Sequence, residues 1–119
     1  MANTFKLKSK ANVGVTTSNV YVVPSSTTTV VIGGTLANTS GSSVNVGVGI
    51  TRASTDDISI LKNVPIPQGS SLEVMQGNKI VLETTDSFTA KSDTNNSLDV
   101  ALTIMEITQF LWHISVIYQ

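Results

Sequence analysis

The stretch "SVNVGVGIT", residues 43–51, and a second stretch, "SLDVALTIM", residues 97–105, decide the fold class of this chain. In both, an aliphatic side chain occupies every second position, with a smaller or more polar residue between. The aliphatic residues are Val44, Val46, Val48, Ile50, Leu98, Val100, Leu102 and Ile104. A period of two over eight residues is typical of a β-strand with one buried face. Both stretches are therefore predicted to be strands that point these side chains into a core.

Further stretches are rich in β-branched residues and are bounded by turn residues, which predicts more strands. They are Thr4–Lys8, Asn19–Val23, Thr28–Ala37, Ile58–Lys62, Ser71–Met75, Lys79–Glu83 and Ser87–Lys91. Eight or nine short strands at this spacing predict an all-β fold, an antiparallel β-sandwich. The pattern fits jelly-roll and immunoglobulin-like connectivities equally. The lack of cysteine argues against an antibody-type domain.

Three local features carry expectations of their own. Gly33 and Gly34 lie inside a strand and predict a bulge or close packing. The stretch "QGN", residues 76–78, separates two strand candidates and predicts a tight hairpin with positive φ at its glycine or asparagine. Pro65 and Pro67 cannot donate to a sheet ladder, so the stretch around them is expected at an edge or outside a sheet.

Composition excludes several classes of protein. The 119 residues suffice for one domain, with 13% charged residues and a net charge of −1, so no nucleic-acid partner is expected. Without cysteine the chain has no disulfides, thiolate metal sites or cysteine nucleophile. No segment reaches the ~20 apolar residues of a membrane helix, and the N-terminus does not resemble a secretory signal. We expect a soluble protein that is not exported by the standard route and has no membrane partner.

Candidate catalytic groups are few and poorly placed. His113 is the only histidine and lies in an apolar run, which favours a structural or interface role over a catalytic triad or a metal site. The pair Asp56 and Asp57 fits a solvated turn. Glu73 and Glu83 are expected to point outward, and the aromatic residues of a typical sugar site are missing around them. We therefore predict no enzymatic activity, no cofactor, no metal and no small-molecule substrate.

Most of the chain resembles a group of small virion proteins of tailed bacteriophages, of the marine and cyanobacterial type. The stretches that carry the resemblance are "VYVVPSSTTTVVIGGTLANTSGSSVNVGVGI", "LKNVPIPQGSSLEV", "NKIVLETTDSF" and "NSLDVALTIMEI". Within them, the matching features are Pro24, Thr27–Ile32, Leu36–Asn38, Lys62–Leu72 and Leu98–Ile107. These motifs are structural and carry no catalytic signature. The resemblance runs from about residue 20 to residue 107 and implies a β-sandwich that assembles into a virus particle.

Two functions remain open for such a protein. The first is a non-enzymatic structural component of the virion, made in the host cytoplasm and assembled in many copies on the head as decoration or cement, at the neck or along the tail. Its partners would be copies of itself and other virion proteins. The alternative is a receptor- or carbohydrate-binding module of a phage fibre or baseplate. That function needs an exposed aromatic platform or a calcium loop, whereas the candidate aromatic residues, Tyr21 and Phe88, also fit core positions.

The last stretch, "TQFLWHISVIYQ", residues 108–119, extends beyond the resemblance and contains three of the six aromatic residues. At period two, one face holds Phe110, Trp112, Ile114, Val116 and Tyr118, and the other holds Leu111, His113, Ser115 and Ile117. Thr108 and Gln109 tolerate positive φ poorly, so a two-residue reversal is disfavoured. The chain is expected to divide into a sandwich domain, residues 1–108, and an extended C-terminal strand or arm, residues 109–119. The arm is expected to pack on a neighbouring subunit or another virion protein and to add a strand to its sheet. The alternative is that it forms the last strand of its own sandwich. The predicted interface residues of the arm are Phe110, Leu111, Trp112, His113, Ile114, Val116, Ile117 and Tyr118.

The first strand candidate has one basic and one apolar face. Lys6, Lys8 and Lys10 alternate with Phe5 and Leu7. One interpretation is an edge strand that its lysines protect against unwanted pairing. The other is an arm that docks on an acidic neighbour, with Lys6 and Lys8 as interface residues.

Overall fold

A computed structural model describes residues 2–53, 55–75 and 77–108, and these residues form nine β-strands. The strands are β1 (Ala2–Val13), β2 (Ser18–Val22), β3 (Thr27–Asn38), β4 (Val44–Thr51), β5 (Ile58–Ile66), β6 (Ser71–Glu73), β7 (Ile80–Leu82), β8 (Ser87–Ser92) and β9 (Leu98–Thr108). Within this part of the chain, no helix is long and apolar enough to cross a membrane. The predicted strand segments all correspond to observed strands, and several strands extend beyond the predicted ends.

The strands form two antiparallel sheets packed as a sandwich. One sheet has five strands in the order β1-β9-β3-β6, with β7 also paired to β3, and the other has four in the order β2-β8-β4-β5. Consecutive strands cross from one sheet to the other, except at the β4–β5 and β6–β7 connections. This alternation is the double Greek key of a jelly roll. The all-β prediction is confirmed, and the connectivity is jelly-roll-like rather than immunoglobulin-like.

The core lies between the two sheets and is built from alternate residues of β4 and β9, as the sequence predicts. Val44, Val46, Val48, Ile50, Leu98, Val100, Leu102 and Ile104 are all buried. Phe88 and Tyr21 are buried as well, so neither aromatic ring forms an exposed platform. Because side chains alternate across a strand, a shift of one residue would expose the whole apolar set, and burial therefore determines the register.

The paired glycines of β3 create a bulge, as predicted. The register against β9 shifts between Val31 and Gly33, so an extra residue is accommodated there. A Cβ atom on Gly34 would lie 3.1 Å from Leu102 Cδ2, which indicates close packing between the strand and the core. The prediction for the prolines is also confirmed: Pro65 lies in β5 at the edge of its sheet, and Pro67 follows the end of that strand.

The predicted hairpin around residues 76–78 is wrong. β6 and β7 do not pair with each other; both pair antiparallel with β3, one after the other along the same edge. Gly77 has the expected positive φ of 87°, and the Asn78 amide donates to the Met75 carbonyl at 2.8 Å. The turn therefore interrupts one line of pairing instead of reversing it. Met75 is buried in the core. The chain therefore turns inward at this point before β7 pairs with β3 again.

Candidate assembly surface

The first strand presents large apolar side chains on the outside of the sandwich. Phe5 pairs directly with Met105 of β9, and Leu7 pairs with Thr103. Directly opposed residues of antiparallel strands lie on the same face of the sheet. The alternate residues of β9 fill the core, so Phe5 and Leu7 point away from it. Their exposed fractions are 70% and 69%, which is unusual for apolar side chains of this size.

Phe5 belongs to an apolar row across the five-stranded sheet. The register pairs Phe5 with Met105, Met105 with Val30, and Val30 with Val81. These four side chains, here called the outer row, lie side by side across β1, β9, β3 and β7. With strands ~4.8 Å apart, the row spans roughly 14 Å. Val81 is 60% exposed at the far end. A contiguous apolar surface of this kind is typical of an interaction site.

The opposite face of β1 carries its lysines, which point toward the interior of the sandwich. Lys6 is the cross-strand partner of Ile104, a core residue, and Lys8 is the partner of Leu102. The Lys8 ammonium lies 5.9 Å from the centroid of the Tyr21 ring, within range of a cation–π contact. β1 is an edge strand, as one of the two interpretations of its sequence expects. Lys6 and Lys8, however, contact groups of their own chain.

The acid that meets Lys6 is Glu106, an almost fully buried residue of β9. The Lys6 Nζ lies 2.8 Å from Glu106 Oε1, and the Tyr21 hydroxyl donates to Glu106 Oε2 at 2.5 Å. Since that hydroxyl has only one proton, it accepts from the Thr29 hydroxyl at 2.8 Å. We call Lys6, Tyr21, Thr29 and Glu106 the Glu106 cluster. It joins the two sheets and anchors the edge strand.

Burial and hydrogen bonding change the acidity of two members of this cluster. Burial by itself raises the pKa of Glu106, but hydrogen bonds from Lys6 and Tyr21 and the charges of Lys6 and Lys8 outweigh it, so that the pKa lies below its usual value. Burial and the hydrogen bond to Glu106 raise the pKa of Tyr21 to about 12. At neutral pH the carboxylate is therefore charged and the phenol neutral. The cluster is thus a buried network of one ion pair and two hydrogen bonds that connects β1, β2, β3 and β9.

Sequence reasoning missed this cluster, although a signal was present. Glu106 continues the inward alternation of Leu102 and Ile104, which places a carboxylate on the core face. A buried carboxylate requires a partner. The partner was identifiable only from the β1–β9 register, which a single sequence does not contain.

A second ion pair network joins the sheets at another position. Arg52 follows β4, and its Nη2 atom lies 2.8 Å from Glu83 Oε2, while its Nε atom lies 3.0 Å from Asp86 Oδ2. Asp86 is buried and also accepts from the Glu83 amide at 3.0 Å. These contacts connect loops of the two sheets. Glu83 and Glu73 are both exposed, as predicted.

The outer face of the four-stranded sheet carries a shallow open groove of about 400 Å³. Its floor is low because Gly47 and Gly49 of β4 lack side chains, and Lys62 and Lys91 flank it. Among the described residues that line it there is no aromatic side chain, so it lacks the stacking platform of a sugar site. No group of three or more histidine, cysteine, aspartate or glutamate side chains that could hold a metal occurs in the part of the chain that the structure describes.

The predicted C-terminal arm lies outside the described residues. This applies to Phe110, Leu111, Trp112, His113, Ile114, Val116, Ile117 and Tyr118 alike. The last described residue, Thr108, pairs with Ala2 on one side and with Thr27 on the other. The division of the chain at residue 108 stays a prediction.

No protein-family model and no curated protein sequence matches this chain. Solved structures share its fold. A chain from the structure of Bacillus endospore appendages, titled a novel family of disulfide-linked pili, aligns with a TM-score of 0.56 at 12% identity, over 90% of this chain and 87% of the other. A chain from the acidic stable capsid structure of Helicobacter pylori bacteriophage KHP30 aligns with a TM-score of 0.54 at 12% identity, over 90% of this chain and 89% of the other. At this identity the likeness shows a common jelly-roll-like fold.

Proposed function

We propose that this chain is a non-enzymatic structural protein of a tailed-phage virion, which assembles in many copies through contacts between its subunits on the head, at the neck or along the tail. The observation that carries the proposal is the outer row, together with the exposed Leu7 beside it. A subunit interface would remove these apolar side chains from water, at about 25 cal/mol per Å² of buried apolar surface.

The solved structures with the same fold support an assembly role. One is the structure of a pilus and the other is the structure of a bacteriophage capsid, and each contains a chain that shares this fold. The resemblance of residues 20–107 to phage virion proteins favours the virion over other assemblies.

The contacts between copies would have to form without disulfides. The pilus of the comparison is described as disulfide-linked, whereas this chain has no cysteine. Many weak contacts per particle would then supply the stability, because multivalency multiplies modest affinities. We expect these contacts to be mainly apolar, because a chain with 13% charged residues can form few ion pairs between subunits.

The C-terminal arm, residues 109–119, is the segment we propose to make the subunit contact. Its apolar side chains match the chemistry of the exposed surface on β1, and each would contribute roughly 1.5–3 kcal/mol on burial. Lys6 and Lys8 lie on the opposite face of β1 and would border the interface on that side. His113 would be an interface residue rather than a catalytic one.

Removal of residues 109–119 tests this proposal. We expect the full chain to form oligomers by mass photometry, and the truncated chain to be monomeric while its circular dichroism spectrum stays that of a β-protein. A matched control replaces the same residues with glycine and serine, which keeps the length and removes the apolar side chains. Oligomers of unchanged size in both variants would contradict the role of the arm.

The virion role has a separate test. Purified particles of the phage that encodes the chain would be fractionated, and the copies per particle counted by quantitative mass spectrometry. Dozens to hundreds of copies would agree with a position on the head or along the tail, and a handful with the neck or fibres. Absence of the chain from the particles would refute the virion role.

A further inference from the structure

We propose that the free edge of β1 is the acceptor site of the arm: residues 109–119 of one copy add a strand beside β1 of a neighbouring copy. The inference rests on the proposed assembly function and names the surface that receives the arm. Strand addition of this kind uses main-chain hydrogen bonds for affinity and alternate side chains for specificity.

Comparison of the sheet edges singles out β1. Among the described residues β1 pairs only with β9, and from Ala2 to Lys10 the pairing has no register shift. The opposite edge of the same sheet is broken into β6 and β7, with three residues each. In the other sheet β2 has only five residues, and β5 contains two register shifts and Pro65, which cannot donate. β1 is therefore the longest regular template for an added strand.

The side chains of β1 and of the arm match in period and polarity. A strand added at the edge would place one of its faces on the same side as Phe5 and Leu7. The arm has such a face, formed by Phe110, Trp112, Ile114, Val116 and Tyr118. On that side the added strand extends the outer row by one position and covers the two most exposed apolar side chains of β1.

The lysines of β1 do not block this contact. Lysine on an edge strand normally discourages pairing, because an incoming strand would bury its charge. Here the Lys6 ammonium is already paired with Glu106 at 2.8 Å, and the Lys8 ammonium lies over the Tyr21 ring. The arm has no acidic or basic side chain of its own except His113. At Lys6 and Lys8, strand addition therefore leaves no new unpaired charge.

The position of the acceptor suits an arm from a copy stacked end to end with its neighbour. Thr108, the last described residue before the arm, pairs with Ala2, which begins the acceptor strand. The origin of the arm and the start of the acceptor thus lie at the same end of the sheet. Because β9 and β1 are antiparallel, an arm that continues β9 without reversal leaves the sandwich at this end and would run antiparallel beside β1 of a copy stacked beyond it. Residues 110–118 match the length of the regular stretch from Ala2 to Lys10.

Cysteine cross-linking of the full chain tests the inference, because the chain has no cysteine of its own. A chain with Leu7→Cys is mixed with a size-tagged chain that carries Trp112→Cys, Ile114→Cys or Val116→Cys, and the mixture is oxidised. Opposed strand residues lie within the range that a disulfide requires. The matched control is Val81→Cys, which is similarly exposed on the same face at the opposite edge.

We expect tagged–untagged dimers with Leu7→Cys for at least one arm position, in several-fold excess over those with Val81→Cys. Equal yields at the two edges, or no cross-link while oligomers persist, would overturn the assignment of the acceptor and leave the assembly function standing. If the full chain formed no oligomers, the assembly function would fail, and this inference with it.

Proline substitution gives a second readout that does not depend on a chosen register. Neighbouring strand residues point their amides in opposite directions, so either Ile114→Pro or Ser115→Pro must remove a hydrogen bond to the acceptor. We expect at least one of them to lose oligomers that the Ile114→Ala and Ser115→Ala controls retain. Oligomers of full size in both proline variants would contradict strand addition.

Discussion

Glu106 is a carboxylate within a row of core side chains, and its retention there depends on Lys6 and Tyr21. Removal of one member of a buried, hydrogen-bonded ion pair leaves the other without compensation, which costs more than the pair contributes. The cluster also holds the edge strand β1 against β9, because Lys6 belongs to β1 and Glu106 to β9. Side-chain chemistry at this point therefore affects the strand that we propose as the acceptor.

We predict that Glu106→Gln removes a contribution to the free energy of unfolding that the native chain loses at acidic pH. The pKa of Glu106 in the folded chain lies below its ordinary value of 4.5, so its contribution is complete above that pH and is lost as the pH falls through the folded value. Urea unfolding at pH 7 is expected to show the variant less stable by about 1–3 kcal/mol. The difference should shrink at pH 3, and a difference independent of pH would contradict the account.

Tyr21→Phe should instead change how the free energy of unfolding depends on pH in the alkaline range. The pKa of Tyr21 is raised from 10.0 to about 12, so its contribution is complete below pH 10 and is lost as the pH rises through about 12. We expect the native chain to lose stability between these values by more than the variant does. Unfolding curves at pH 9 and pH 11.5 measure this, and parallel losses in both proteins would show that the buried hydroxyl is not responsible.

The local sequence pattern predicts where the strands lie and which faces are buried, but it does not predict all of their pairing partners. Alternation in β4 and β9 predicts their positions and buried faces, because the contrast between core and solvent repeats every two residues. The partners of β6 and β7 were not predictable in the same way, since their pairing with β3 depends on residues far apart in sequence. A glycine turn near Met75 suggested a hairpin, but burial of the Met75 side chain separates the two strands.

β4 offers a test of how strand pairing constrains single residues. β5 approaches it so closely that a Cβ atom on Gly49 would lie 2.8 Å from the Ile58 carbonyl oxygen. Gly49→Ala must therefore displace a backbone, and we expect a loss of about 1–3 kcal/mol in the free energy of unfolding. The control is Gly41→Ala, where no atom lies within 4 Å and the change should be nearly neutral. Equal effects of the two substitutions would contradict this packing.

The orientation of β1 could not be derived from its sequence. Alternation separates Lys6 and Lys8 from Phe5 and Leu7, and ordinary burial rules would place the apolar residues inside. The register with β9 does the opposite, because the partners of Phe5 and Leu7 lie on the outer face. The fold class and core of the sandwich were thus accessible from the sequence, whereas the exposed apolar surface required the structure.

We expect that surface to stabilise contacts between molecules more than it stabilises the fold. Phe5 and Leu7 are largely exposed, so Phe5→Ser with Leu7→Ser should lower the free energy of unfolding of the subunit by less than about 1 kcal/mol. The same double substitution should greatly reduce oligomer content in mass photometry. The control is Val22→Ser, an exposed apolar residue of the other sheet. An unchanged oligomer content in the double variant would show that this surface does not take part in assembly.

A density map of the assembled full chain at side-chain resolution tests the central claim most directly. We predict that residues 109–119 of each copy lie as a strand beside β1 of a neighbour, with Trp112 and its alternate residues on the side of Phe5 and Leu7. A map in which each arm packs on its own sandwich, or in which copies meet through the four-stranded sheet with β1 uncovered, would contradict it.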